Sequence, residues 1–119
     1  MNFDFGKSTT KHVFDYYDGI PLITIHTYEN VDYFLYAITW DRSLDKCEYM
    51  LATIDEKGFE QVIKEGVKSF LNSMLKENKL YHHTFGFWED SPKDEIRHLT
   101  KEEAIKAFPT NERVLDYKC

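Results

Sequence analysis

Two short segments, Thr24-Ile25-His26 and His82-His83-Thr84, hold the residue types best suited to moving protons. A pair of histidines can act as general acid and general base across a phosphoester while threonine hydroxyls bind its oxygens. A strand, however, sends consecutive side chains to opposite faces. Over 80–88, His83 therefore goes with Tyr81, Phe85 and Phe87, and His82 with Leu80, Thr84, Gly86 and Trp88. The two adjacent histidines cannot chelate one ion together. The aromatic odd set reads as the core side beneath helices, which makes His83 a buried structural histidine. The even set mixes polar and aromatic groups. Strand 20–28 offers a similar set, so one face is expected to carry Thr24, His26, Tyr28, His82, Thr84 and Trp88.

The paired Thr-x-His and His-x-Thr elements are similar to the H-x-T/S signature of the two-histidine phosphoesterases. The first element is reversed, and 119 residues is short for that duplicated fold. Gly-Lys-Ser-Thr at 6–9 resembles the end of a phosphate-binding loop, but the first glycine would fall on Met1, with no strand before it. The acidic groups Asp15/Asp18, Asp41/Asp45 and Glu89/Asp90/Asp94/Glu95 lack the spacing of a calcium loop and have no histidine at zinc-site spacing. Cys47 has neither a nearby histidine nor a helix N-terminus to activate it. The expectation is no catalytic set, no metal and no cofactor.

The elements that must position these residues follow from pattern. Residues 1–11 are polar and read as a flexible arm, and 12–119 as a single α+β domain. Strands are expected over 12–18, 21–28, 32–40 and 47–54, joined by short polar loops such as Glu29-Asn30-Val31-Asp32, which makes an antiparallel meander. Asp55 caps a helix over 56–65 with Phe59, Val62 and Ile63 on one face and Gly66 at its stop. A second helix over 67–78 places Val67, Phe70, Leu71, Met74 and Leu75 at helical spacing. A fifth strand spans 80–88, and the acidic stretch after it reads as a loop. Thr100 and Glu103 form a capping box for a helix over 101–108, which Pro109 ends, and Val114, Leu115 and Tyr117 suit an edge segment. The predicted architecture is an antiparallel meander of about five strands with two to three helices packed on one face.

Composition narrows the function classes. The chain is 42% hydrophobic, 30% charged and 16% aromatic, which suits one globular core built on aromatic strand pairs. A net charge of −6, with four basic and eight acidic residues before position 55, argues against nucleic-acid binding. No apolar run is long enough for a membrane span or a signal peptide, and two cysteines make no disulfide framework, so a cytoplasmic setting is expected.

Two patches, Phe-Asp-Tyr-Tyr-Asp-Gly-Ile-Pro-Leu at 14–22 and Ala-Ile-Lys-Ala-Phe-Pro-Thr-Asn-Glu-Arg-Val-Leu at 104–115, resemble a family of small uncharacterised bacterial and phage domains. That family opens on an aromatic Tyr-Asp-Gly-Pro strand turn and closes on a Leu-Pro and acidic segment. The resemblance runs from about His12 to Leu115. The chain departs from it by placing Ile20 between Gly19 and Pro21 and Phe108 before Pro109. It implies no established activity and no catalytic residues.

The strands over 33–40 and 47–54 are apolar on both faces, while the helices suffice for one. A second face left for a partner is the expectation, with Tyr28, Trp40 and Trp88 as anchors and His26, His82 and Thr84 beside them. The reading is a non-enzymatic binding module, a small acidic inhibitor of immunity-protein or phage-modulator type, or a self-associating homodimer. The alternative is a small-ligand or phosphoester site on His26 and His82.

Overall fold

A computed structural model describes residues 3–17, 20–41, 46–86 and 95–107. Six strands form one antiparallel sheet in sequential order: β1 (Thr9–Tyr17), β2 (Ile20–Tyr28), β3 (Val31–Asp41), β4 (Lys46–Thr53), β5 (Tyr81–Gly86) and β6 (Glu95–His98). Helices α1 (Glu56–Glu65) and α2 (Val67–Lys76) sit between β4 and β5, and α3 (Lys101–Ala107) follows β6. The α+β meander with three helices is the architecture expected.

Local chemistry accounts for the boundaries. The β2–β3 hairpin turns on two residues, Glu29 and Asn30, at φ 51° and 65°. Two successive positive φ values match the twist of the flanking strands. Asp55 accepts the Gly58 N–H at 2.8 Å and opens α1. Gly66, at φ 103° and ψ 165°, ends α1 by donating to Gln61 and Val62 carbonyls and at once begins α2. Few side chains other than hydrogen tolerate that conformation. Gln61 Nε2 then ties the two helices by donating to the Ser69 and Ser73 hydroxyls, 3.0 Å each.

Strand β6 lies where the sequence reads as loop and unassigned chain. Its four residues carry one apolar side chain, Ile96, too little for a period-2 signal, and pairing with β5 is what makes it a strand. At the opposite edge, β1 pairs with β2 through three register shifts, between Thr10 and His12, Val13 and Asp15, and Asp15 and Tyr16.

The sheet separates two cores. Ile23, Ile25, Phe34, Met50, Ala52 and Leu80 pack against Val62, Val67, Phe70, Leu71 and Ala104 of the helices. All three helices therefore contribute to one face. Tyr33, Leu35, Tyr49 and Leu51 form the second core with Phe3 on the other face. The cover on that side is the chain's own beginning: a 3₁₀ turn, Phe5–Lys7, is capped by Asp4, and Phe3 is 4% exposed. The segment expected as a flexible arm thus contributes a core residue, and β1 begins at Thr9 rather than His12.

The strand faces are the reverse of the expected ones. Leu80 and His82 lie on the helical side, and Tyr81 and His83 lie on the side of Phe3 and Phe5. Both sets of sheet side chains are apolar enough to form a core, so aromatic content alone could not tell which set the helices cover. The C-terminal segment 108–119 lies outside the described residues.

Candidate functional site

Cross-strand register lays out the helical face row by row. One row reads Ile23, Tyr36, Met50, His82, Arg97 from β2 to β6. A second places Glu48 opposite Thr84, and Thr84 opposite Glu95. Met50 and Thr84 are buried, His82 is half-buried and Arg97 is exposed, so the sheet emerges from under α1 and α2 toward β6. A groove of about 530 Å³ opens there, lined by Ile38, Glu48, His82, Arg97, Leu99, Glu103 and Lys106. Leu99 and Ile38 belong to the helical-side core or pack on it, which gives the groove an apolar base beneath charged groups.

Four of the titratable groups in the groove are paired with one another. His82 Nε2 lies 3.2 Å from Glu48 Oε1, a diagonal cross-strand contact. Burial, and secondarily Arg97, push the His82 pKa down against the opposing pull of Glu48. At neutral pH the contact is therefore an Nε2–H donated by a neutral imidazole to the carboxylate. Arg97 forms a two-pronged bond to Glu103, Nη1 to Oε1 at 2.9 Å and Nη2 to Oε2 at 2.7 Å. This fork geometry fits guanidinium to carboxylate. Glu103 also closes the capping box of α3: it accepts from the Thr100 hydroxyl and N–H, and Thr100 accepts the Glu103 N–H. Arg97 first, then Thr100, hold the Glu103 pKa at about 2. One carboxylate thereby fixes the start of α3 and the orientation of the arginine at the groove mouth.

The remaining predicted residues are distributed otherwise. His26 is on the opposite side of the sheet from His82. The register links His82 to Met50, Tyr36 and Ile23, an odd-numbered residue of β2, so the even-numbered His26 faces away. The pairing expected from Thr24-x-His26 and His82-x-Thr84 is not formed, and no phosphoester could be bracketed by the two histidines through the sheet. Tyr28 packs edge-on to Phe3 at 6.0 Å on the side of His26. Thr84 does accompany His82, as parity requires, and is buried at 8% exposure. Backbone register pairs Trp40 with Cys47. Trp88 lies outside the described residues.

His26 instead shares its face with His83. Both rings approach Phe5, at 4.9 Å and 6.4 Å between centroids, and Phe5 also stacks on Tyr49 at 6.0 Å. Glu48, Arg97, Phe3 and Phe5 were not among the expected site residues, and Glu103 was expected only as the capping-box partner of Thr100. The alternation Phe3-Asp4-Phe5 was the available sign for the two phenylalanines, whereas the groove charges come from β4, β6 and α3 and share no local signal.

A smaller cleft of about 370 Å³ opens by the start of α1, where Lys11 Nζ is bonded to Asp32 at 2.6 Å. Among the described residues no group of three His, Cys, Asp or Glu is placed to hold a metal ion, and no described helix is long and apolar enough to cross a membrane. No protein family, curated protein or solved structure matches the chain.

Proposed function

We propose that this protein is a binding module that recognises a protein partner through the groove between β4–β6 and α3. The observation that supports the reading is the state of the groove's charges: Glu48 with His82 and Arg97 with Glu103 are bonded to each other. An apolar base ringed by two oriented polar pairs and the exposed Lys106 has the anatomy of a recognition surface. A general base, by contrast, must have its acceptor directed at a substrate. The chain's net charge of −6 suits long-range attraction to a basic partner. In this reading the protein is a small acidic inhibitor or modulator, of the immunity-protein or phage-encoded kind, acting inside the cell. The alternative phosphoester reading loses its basis with the separation of His26 and His82.

A photo-crosslinking amino acid placed at Lys106 on the groove, and at exposed Lys64 on α1 as control, tests the proposal in the native host. Capture of one discrete protein from position 106 and not from 64 is expected. Equal capture at both positions, or none at either, refutes the groove as the recognition surface. Capture of a second copy of the chain, with a dimer in sedimentation equilibrium, replaces the partner reading by self-association.

A further inference from the structure

The hydroxyl of Ser8 fixes the protonation state of His26. Ser8 Oγ lies 2.7 Å from the Phe5 carbonyl, which can only accept, so the single hydroxyl proton points there. Against His26 Nδ1, 3.1 Å away, the hydroxyl must therefore accept, and Nδ1 carries the proton. That leaves Nε2 as the bare nitrogen. It is buried and has no hydrogen-bond partner among the described residues. The ring is 5% exposed, with Phe5 across its plane. A second proton on this imidazole must go to Nε2, where it meets no acceptor.

The groups around His26 do nothing to compensate. The turn above it supplies Asp4 and Lys7, but Asp4 Oδ1 accepts the Lys7 N–H at 3.2 Å and serves the turn itself. Tyr28 and Tyr33 are phenols pushed up by burial and Glu29, and Tyr49 is fully buried. From β5 comes His83, a potential cation. Burial first, then His83, lower the His26 pKa to about 4. The element over His26 is also separable. The Lys7 and Ser8 amides bond back to Asp4 within the turn, so its departure need break none of the β1–β2 ladder, which starts at Thr9.

We propose that residues 3–8 are a strap latched by neutral His26, which opens when His26 takes up a proton and bares the aromatic surface of Tyr33, Tyr49 and His83. The only covalent change is transfer of one proton from hydronium to Nε2, which releases a water molecule. This device is independent of the groove, which lies on the other side of the sheet.

The test combines two measurements on the full chain. A histidine NMR titration is expected to place His26 near its depressed value in the parent. In Phe5→Ala, whose strap is weakened, it should rise by at least one unit with sheet amide shifts retained. Binding of a fluorescent hydrophobic dye to the bared Tyr33, Tyr49 and His83 surface, at sub-saturating dye, should rise roughly 30-fold from pH 7.5 to 5.0 while the β3 and β4 amides stay protected from hydrogen exchange. His26→Gln should abolish that rise. An unchanged His26 titration in Phe5→Ala overturns the proposal. So does a rise that persists in His26→Gln, or loss of protection in β3 and β4 in step with the strap.

Discussion

Replacing Gly58 by alanine should destabilise the protein, against the helix propensities of the two residues. Alanine is favoured over glycine by about 1 kcal/mol in a helix interior, and by less in the first turn where Gly58 sits. The packing term is opposite in sign. A Cβ on Gly58 would lie 2.8 Å from Phe70 Cε1 and 3.0 Å from Ile54 Cγ1. Carbon atoms prefer about 3.5–4.0 Å, so both contacts are deep overlaps. Both neighbours are held by the core: Phe70 is 1% exposed and its ring meets Phe34 edge-on at 5.2 Å, while Ile54 is 7% exposed, so either can yield only by leaving its packed position toward the cleft of about 440 Å³ that they line with Gly58. Forcing one methyl into such a core costs about 1–3 kcal/mol. The net expectation is a loss of about 1–2 kcal/mol, or a melting temperature lower by about 5 °C for a domain of this size. Urea unfolding with an unchanged slope measures it. A Phe70→Leu change in the same background should recover part of the loss, because it removes the atom that the methyl strikes. A Gly58→Ala protein as stable as the parent, or more so, refutes the close-approach argument.

Three further outcomes follow from the same structure. His26 has a folded pKa of about 4 against an ordinary 6.5, so its stabilising contribution is complete above pH 6.5 and drains away as pH falls toward 4. The loss approaches about 3 kcal/mol over that window by linkage, and pH-dependent urea unfolding of parent and His26→Gln should differ in slope there. Gly66→Ala, at φ 103°, should cost about 1–3 kcal/mol of strain in the same assay and loosen the α1–α2 junction. Thr100→Ala removes the cap of a seven-residue helix and should cost about 1 kcal/mol, seen as faster amide exchange confined to α3.

Local signals proved readable, and relations between strands did not. Asp55, Gly66, and Thr100 with Glu103 mark helix ends through contacts within three to five residues, so their side chains announce them directly. Within β5 the opposite directions of His82 and His83 follow from pleat alone. Which of them joins His26 depends on the register of three successive strand pairs. Those are tertiary choices with no local trace. The groove suffered most from this, since Glu48 and His82 are 34 residues apart and meet only when β4 and β5 close around the helical pair. The strap was missed for another reason: a polar, charged N-terminus conceals two phenylalanines at i and i+2.

The register shifts of β1 also bear on how the molecule behaves at high concentration. The outermost strand of a sheet is in general a template on which a second sheet could grow. Three irregularities within the nine residues of β1 break the straight row of donors and acceptors that such growth requires. At the far side, β6 exposes only four residues, and the charged ends of Glu95 and Arg97 lie among them. Both margins of the described sheet are thus poor substrates for fibre-like stacking.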